Sequence, residues 1–414
     1  MTPLIRELNL TQSLRPRQAS VLSARKRFTV VVAGRRWGKT WLALWWLIIN
    51  AATWPNRICY YVGPTYTQTK RIAWDLLKRQ IPAEARRRIC EQELLIELPN
   101  GSVIQLHGAD RPDSLRGVGL NCIVLDEYAQ MNPRTWSAVV RPMLADRRGS
   151  AMFIGTPSGR NHFYELYART ERNDEWAVFR FRTEDGGYVA ADELAAARCE
   201  MDQKMYAQEF DASFEDSAGR VYHAFDLDKN VADLSPLQDA PLMIGMDFNI
   251  FPMTAVIAQR VGDQCQVIDE IVQFNSNTQE MMNEINRRYR GRHGVVHPDP
   301  SGVARRTSAP VGQTDFTIIE QAGWPVYRAK IHKVVDRINN VNAMLCSAQG
   351  NRKLLISRSC KYLIKSLDGL TYKEGTKIPD KASGLDHSSD ALGYLIMNAF
   401  PLISNSVRSF TIAL

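Results

Sequence analysis

The run FTVVVAGRRWGKTWLALWWL, from Phe28 to Leu47, has the residue types needed to grip a polyphosphate. A β-branched strand enters a turn of Gly34, Arg35, Arg36, Trp37 and Gly38, after which Lys39 and Thr40 open an apolar helix. Backbone N–H groups of such a turn point at an anion at a helix N-terminus. Lys39 would neutralise the β/γ charge, and the Thr40 hydroxyl would ligate Mg²⁺. The pattern GxxxxGK[ST] asks for glycine at 33, where this chain has Ala33. Downstream, NCIVLDEYAQ brings a second strand to Asp126, which would hold Mg²⁺ through water, and Glu127, which would polarise the attacking water. Two acids after a buried strand also suit a solvated helix start. A third strand, AMFIGTPSGR, ends near Thr156, whose hydroxyl could sense a γ-phosphate or simply close a turn. Together these runs point to ATP hydrolysis, with the acids expected on strands neighbouring that of the phosphate loop.

The second half offers three spaced carboxylates: Asp247 in IGMDFN, Asp299 in VVHPDPSG and Asp390 in GLDHSSDALGY. Phosphodiester hydrolysis needs an activated water and relief of charge on the leaving oxygen, which two divalent ions supply together. Hard oxygen ligands suit Mg²⁺ or Mn²⁺, and no Cys/His cluster signals zinc. His387, one turn before Asp390, suits a metal ligand or proton carrier as well as a structural role, and Asp386 is a possible fourth acid. Taken alone, Asp390 equally suits a helix cap.

These residues must be carried by packed elements. Phe28–Ala33, Ile58–Val62, Val103–His107, Cys122–Leu125 and Ala151–Ile154 read as buried strands alternating with helices, an α/β pattern with a parallel sheet. Residues 1–215 form the expected first domain, with 171–215 a helical lid or linker subdomain, and 216–240, where Ser217, Gly219 and Ser235-Pro236 punctuate the chain, a linker. In 241–400 strands begin at Leu242, Ala255, Cys265 and Gly294, a helix covers Thr278–Tyr289, a hairpin turns at Glu374-Gly375, and a last helix runs from Ser388 to Phe400. Residues 401–414 are read as a tail.

A chain of 414 residues can bury more than one core. Lys and Arg total 52 against 44 Asp and Glu, a net charge of +8 that favours an anionic partner, nucleic acid first. Seven scattered cysteines with no CxxC pair signal neither a disulfide framework nor a zinc site. The start lacks a signal-peptide layout, and the longest apolar run, Trp41 to Trp54, is too short to span a bilayer.

GRRWGKT, then SLRGVGLNCIVLDEYAQ, then IGTPSGRNHFYELY resemble the large terminase subunit of tailed bacteriophages in wording and order. GMDFN, PDPSG and DHSSDALGY resemble the nuclease of the same family, the likeness spanning about residues 14 to 400. It implies an N-terminal P-loop ATPase domain of RecA/ASCE type and a C-terminal ribonuclease-H-like α/β nuclease domain. It further implies ATP and Mg²⁺ at the first site, two Mg²⁺ or Mn²⁺ at the second, and double-stranded viral DNA as substrate. Portal protein, a small terminase subunit and a ring of its own copies are the implied partners, in the host cytoplasm and outside the mature virion. By resemblance Gln18 in LRPRQ reads adenine, where residue type alone suggests a surface polar group. Arg116 aligns with the family's arginine finger, and Arg35 in the loop is the rival. Phe248 and Asn249 stand where family members often have small residues. An ATP-dependent restriction or repair endonuclease, a helicase-like translocase and a DNA-binding scaffold are the competing readings.

Overall fold

The computed structural model of the protein describes residues 14–170, 173–215, 219–305, 310–329, 331–373, 376 and 378–401. The chain divides into two compact units, Met1–Glu193 with Ala207–Asp216, and Leu194–Tyr206 with Ser217–Leu414. No helix among the described residues is long and apolar enough to cross a membrane.

The first unit holds strands β1 (Phe28–Ala33), β2 (Ile58–Gly63), β3 (Arg88–Cys90), β4 (Leu95–Glu97), β5 (Val103–Gly108), β6 (Cys122–Asp126), β7 (Ser150–Gly155) and β8 (Trp176–Phe181). They form one sheet in the order β3-β4-β5-β2-β6-β7-β1-β8. From β5 to β8 all pairings are parallel, and β3 and β4 add antiparallel strands at one edge. Parallel strands covered on both faces read as continuous apolar runs. In β1, Val31 and Ala33 enter one apolar layer, while Phe28, Val30 and Val32 enter the other. Helix α1 (Pro16–Ser23) precedes β1, and α2 (Lys39–Thr53) follows it with Leu42, Leu44, Leu47 and Ile48 buried.

Three expectations change here. The acids' strand β6 does not neighbour β1, because β7 lies between them, a separation of two inter-strand spacings, roughly 10 Å. The stretch 171–215, expected to be helical, contains β8, whose Phe179 and Phe181 pack on one face and Trp176 and Val178 on the other, a period of two that charged flanks obscure. Residues 216–240 do more than link: Val221, Tyr222 and Phe225 are buried in the second unit's core, and strand β9 (Val231–Ala232) joins its sheet.

The second unit's sheet has the order β13-β10-β11-β12-β14-β9, with β10 (Leu242–Asp247), β11 (Met253–Val261), β12 (Gln264–Gln273), β13 (Gly294–Pro298) and β14 (Leu354–Ser357). Its helices include α3 (Thr278–Arg288), α4 (Val334–Leu345), α5 (Lys361–Gly369) and α6 (Asp386–Ala399). β10 runs parallel to β13, so their carboxyl ends share one sheet edge, and the N–H of Asp299 donates to the Met246 carbonyl at 2.9 Å. Helix α6 lies directly on β10. A Cβ added at Gly245 would sit 2.1 Å from the Ala391 carbonyl oxygen, so glycine is what lets the helix carrying Asp390 approach the strand carrying Asp247. In the expected hairpin Tyr372 bridges Pro379, while Glu374-Gly375 and the tail beyond Pro401 lie outside the described residues.

Gly245→Ala should lower the stability of the second unit by about 1–3 kcal/mol through forced separation of α6 from β10. Thermal unfolding of the full chain should show that unit's transition falling, with the transition of the first unit unchanged.

Candidate active sites

At the end of β1 the chain turns through Gly34. A Cβ there would meet Thr183 Oγ1 at 2.4 Å and the Phe210 carbonyl at 2.5 Å, so this position must be glycine. The Gly34 and Arg35 N–H groups donate to the carbonyls of Phe181 and Glu209, and Thr183 Oγ1 donates to the Arg35 carbonyl at 2.8 Å. These bonds fix the entry of the loop. Beyond them Arg36 (φ 61°) and Gly38 (φ 98°) adopt left-handed backbone, and the first N–H groups of α2 have no intrahelical partner. Trp37, expected among the nucleotide contacts, is fully buried with its ring stacked 4.6 Å from Phe181. Its side chain anchors the loop from below, leaving only its backbone for a ligand.

Lys39 is buried, and its ammonium donates to the carbonyls of Ala33 (2.9 Å) and Gly34 (3.1 Å) and to Thr156 Oγ1 (2.9 Å). The Thr156 N–H in turn donates to Glu127 Oε2 at 3.4 Å. Thr156 therefore links the loop lysine to the acid that would polarise water, across β7. Glu127 itself has φ 51°, the left-handed region, which turns the chain sharply out of β6. The Tyr61 hydroxyl donates to Asp126 Oδ2 and also meets Thr40, bringing the two expected Mg²⁺ ligands to one phenol. Nothing in the sequence singled out Tyr61; its place at the middle of β2, beside β6, supplies the contact.

Burial raises the Asp126 carboxyl to about 6, helped by the charge of Glu127 and opposed by the Tyr61 hydroxyl and Lys39. Burial pushes Lys39 the other way, below the usual lysine range, against the pull of Glu127 and Asp126. Gln18 is buried: its amide donates to the Gly38 carbonyl at 3.2 Å and its oxygen accepts from the Arg15 N–H at 3.0 Å. A surface role is thereby ruled out, and Gln18 clamps the loop. The two arginines part company. Arg35 pairs with Glu209 within the electrostatic reach of Glu127, whereas Arg116 pairs with Asp113 of its own turn at 2.8 Å, its side chain half exposed beside Gly117 and Asp146.

In the second unit Asp247 ends β10, Asp299 follows β13, and Asp390 lies in α6. The helix starts at Asp386, earlier than expected, so Asp390 is internal and caps nothing; Asp299 instead caps a short turn by accepting from the Ser301 N–H at 2.9 Å. Asp247 Oδ2 lies 3.1 Å from His387 Nδ1, and Asn249 Nδ2 lies 3.1 Å from the same ring. Burial raises the Asp247 carboxyl, His387 opposes this, and the charges of Asp390 and Asp299 add to it, so the three acids feel one another. Two cations that sequence reasoning missed sit among them. Arg337 Nη2 meets Asp390 Oδ1 at 2.5 Å, and Lys381 Nζ meets Asp386 Oδ2 at 2.9 Å and Asp390 Oδ2 at 3.2 Å. No sequence signal marked the first, since in VVDRINNVNAML Arg337 stands beside Asp336 and near three asparagines, as a surface cation would.

As they stand, no three His, Cys, Asp or Glu side chains among the described residues converge tightly enough to hold a metal ion. The donor chemistry nevertheless fits a divalent cation: hard carboxylate oxygens on one sheet edge whose mutual repulsion such an ion would relieve, with buried Asp386 Oδ1 lacking any hydrogen-bond partner.

Two family models match in series, the "Terminase large subunit, T4likevirus-type, N-terminal" over residues 30–229 and the "Terminase RNaseH-like domain" over 244–399. The chain belongs to the large terminase subunit family. The large terminase subunit of Escherichia phage T5 is 26% identical over 272 residues, 61% of this chain and 61% of that protein, so the match spans less than two thirds of that relative. The large terminase of a thermophilic bacteriophage superposes with a TM-score of 0.63 at 18% identity, covering 92% of this chain and 98% of that one. A form of the same thermophilic phage protein in complex with ADP gives 0.62 at 18% identity over 94% and 99%. The two-domain α/β fold is therefore that of large terminases, with a ribonuclease-H-like second domain.

Because the folded-state pKa of Asp126 lies above its unfolded value, the contribution of this one group in the metal-free terminase turns against folding as pH rises from about 4 through about 6. Asp126→Asn should therefore stabilise the chelated protein near pH 7.5 by up to roughly 3 kcal/mol. The gain should shrink as pH falls toward 5, which thermal unfolding at several pH values checks.

Proposed function

We propose that this terminase is the motor and nuclease of a phage packaging machine, driving double-stranded DNA into a procapsid and cutting concatemeric genomes. The observation that carries the reading is the bonded row Lys39–Thr156–Glu127, with Asp126 alongside, in a family whose second domain is nuclease-like. Support for nucleotide use also comes from the related thermophilic phage terminase, whose structure is known in complex with ADP.

In this reading Lys39 and the N–H groups of Arg36, Gly38 and Lys39 receive the phosphates of ATP, Gln18 turns from Gly38 to the base, and Thr40 and Asp126 hold Mg²⁺. Glu127 orients the attacking water, and Thr156, bonded to both Lys39 and Glu127, moves when the γ-phosphate leaves. An arginine completes the charge balance. Arg35 lies near Glu127 already, and Arg116, half exposed, is suited to a neighbouring copy in a ring. DNA is held through its phosphates, since a motor for any sequence cannot depend on base edges.

At the second site Asp247, Asp299 and Asp390 hold Mg²⁺ or Mn²⁺, two ions in all. Bound there, the metal supplies an activated water and neutralises the leaving oxygen. His387, oriented by Asp247 and Asn249, is placed to carry a proton. Portal protein, a small terminase subunit and the host cytoplasm complete the proposed setting.

Lys39→Ala should reduce ATP turnover about 100-fold or more while plasmid cleavage with Mn²⁺ survives. Asp299→Asn should do the reverse. Steady-state phosphate release and plasmid nicking, measured on both variants, separate this reading from its rivals. A translocase lacking a nuclease would leave plasmid intact in the wild type, and a restriction or repair enzyme would show no ATPase response to procapsids bearing portal.

A further inference from the structure

Of the four carboxylates at the second site, Asp386 and Asp390 meet the Lys381 ammonium or the Arg337 guanidinium, and these two cations are held very differently. Arg337 is buried; its stem lies against Gly393, where a Cβ would come within 2.7 Å, and its guanidinium lies 4.2 Å from the Tyr394 ring centroid. It cannot leave without stranding Asp390 Oδ1. The Lys381 side chain is 60% exposed, on the short turn Lys381–Ser383 that ends at Gly384 in left-handed backbone. Its ammonium bridges Asp386 Oδ2 and Asp390 Oδ2 as a compact charge on a flexible stem, free to withdraw into water. Asp386 is 2% exposed, yet its Oδ1 has no hydrogen-bond partner. His387 Nε2 stands 3.8 Å from it, too far for a hydrogen bond, and a buried carboxylate oxygen without one is costly unless something else binds it.

We infer that Lys381 is a built-in counter-ion of the nuclease acids, held on Asp386 and Asp390 until a divalent cation takes those oxygens. Asp386, through its open Oδ1, then faces the metal as a fourth acid. The inference rests on the nuclease reading of this site. Lysine and metal compete for the same two carboxylates, so the acids stay neutralised when the cation is absent and need not be held apart by repulsion. Arg337 does not compete, and acts as a positioning residue for Asp390.

Competition makes a prediction opposite in sign to that of a purely structural lysine. In full-length protein carrying Asp126→Asn, which removes the carboxylate expected to hold metal in the first unit, Mn²⁺ is titrated calorimetrically. Lys381→Met should bind Mn²⁺ about tenfold more tightly than its parent, and Lys381→Arg should bind no more tightly than the parent. In chelator Lys381→Met should melt below the parent, and saturating Mn²⁺ should erase the difference, because bound metal then supplies the missing positive charge. Unchanged or weaker Mn²⁺ binding by Lys381→Met, or a melting deficit that persists with metal, overturns the inference. Asp247→Asn separates the two levels. If it leaves Mn²⁺ binding intact, the ion is elsewhere and the nuclease reading falls with the inference; if it abolishes binding while Lys381→Met changes nothing, only the role of Lys381 falls.

Discussion

A carboxylate taken out of water must find compensating charge or hydrogen bonds, and both sites of this terminase are built around that requirement. Asp126 is buried at the end of β6, and what keeps it tolerable is the Tyr61 hydroxyl and the ammonium of Lys39. Asp390 is buried in α6 and is held by Arg337 and Lys381. In each case the acids stand at or beyond the carboxyl ends of strands, or on a helix laid against one, where several side chains converge without competing for the sheet's own hydrogen bonds. The compensating cations are supplied from other elements: the loop after β1 for Asp126, helix α4 and the turn before α6 for Asp390. Folding and site assembly are therefore one process, since neither cluster is balanced until separate segments have packed.

Close packing is what lets those segments meet. Gly34 allows Thr183 and the Phe210 carbonyl to seat against the loop, and Gly245 allows α6 to lie on β10 with no side chain between. The bonds made by the Gly34 and Arg35 N–H groups fix the entry of the loop, and the bonds made by Lys39 tie it to Thr156 at the end of β7. Lys39, Thr156 and Glu127 are thus joined by two hydrogen bonds that lie outside the sheet's own ladder.

The strands that carry the candidate residues were legible from sequence because they are continuous apolar runs: β1 is found residue for residue, β2, β5, β6 and β7 to within a residue at each end, and β10 at its start. The motif residues Lys39, Thr156, Asp126 and Glu127 could be placed because strand, turn and helix follow in order. Less was visible where contacts are long-range. β8 was hidden because its two-residue period is flanked by charges, and β3, β4 and β9 are too short to show any period. Strand order was out of reach, so the insertion of β7 between β1 and β6 could not be read. Tyr61 and Arg337 escaped for the same reason, each acting on an acid far away in the chain, whereas Lys381, close before Asp386 and Asp390, has the type of an ordinary surface cation.

The two departures from the family's wording have a physical account. Ala33 replaces the first glycine of the loop pattern, yet it is the last residue of β1, fully buried among Val31, Trp37 and Phe181, and its only duty to the site is a carbonyl that accepts from Lys39. A methyl group costs nothing there; the position that cannot carry one is the next. At the second site Phe248 lays its ring over Gly302, where a Cβ would meet it at 2.2 Å, so the aromatic and the glycine of PDPSG fit as a pair and hold the Asp299 turn against the end of β10. Asn249 spends its side chain on the Ile250 N–H and the His387 ring. The larger residues thus take over, by packing and hydrogen bonding, the positioning of the two groups beside Asp247. The loss of small residues at this point leaves the acid itself at the end of β10, beside His387.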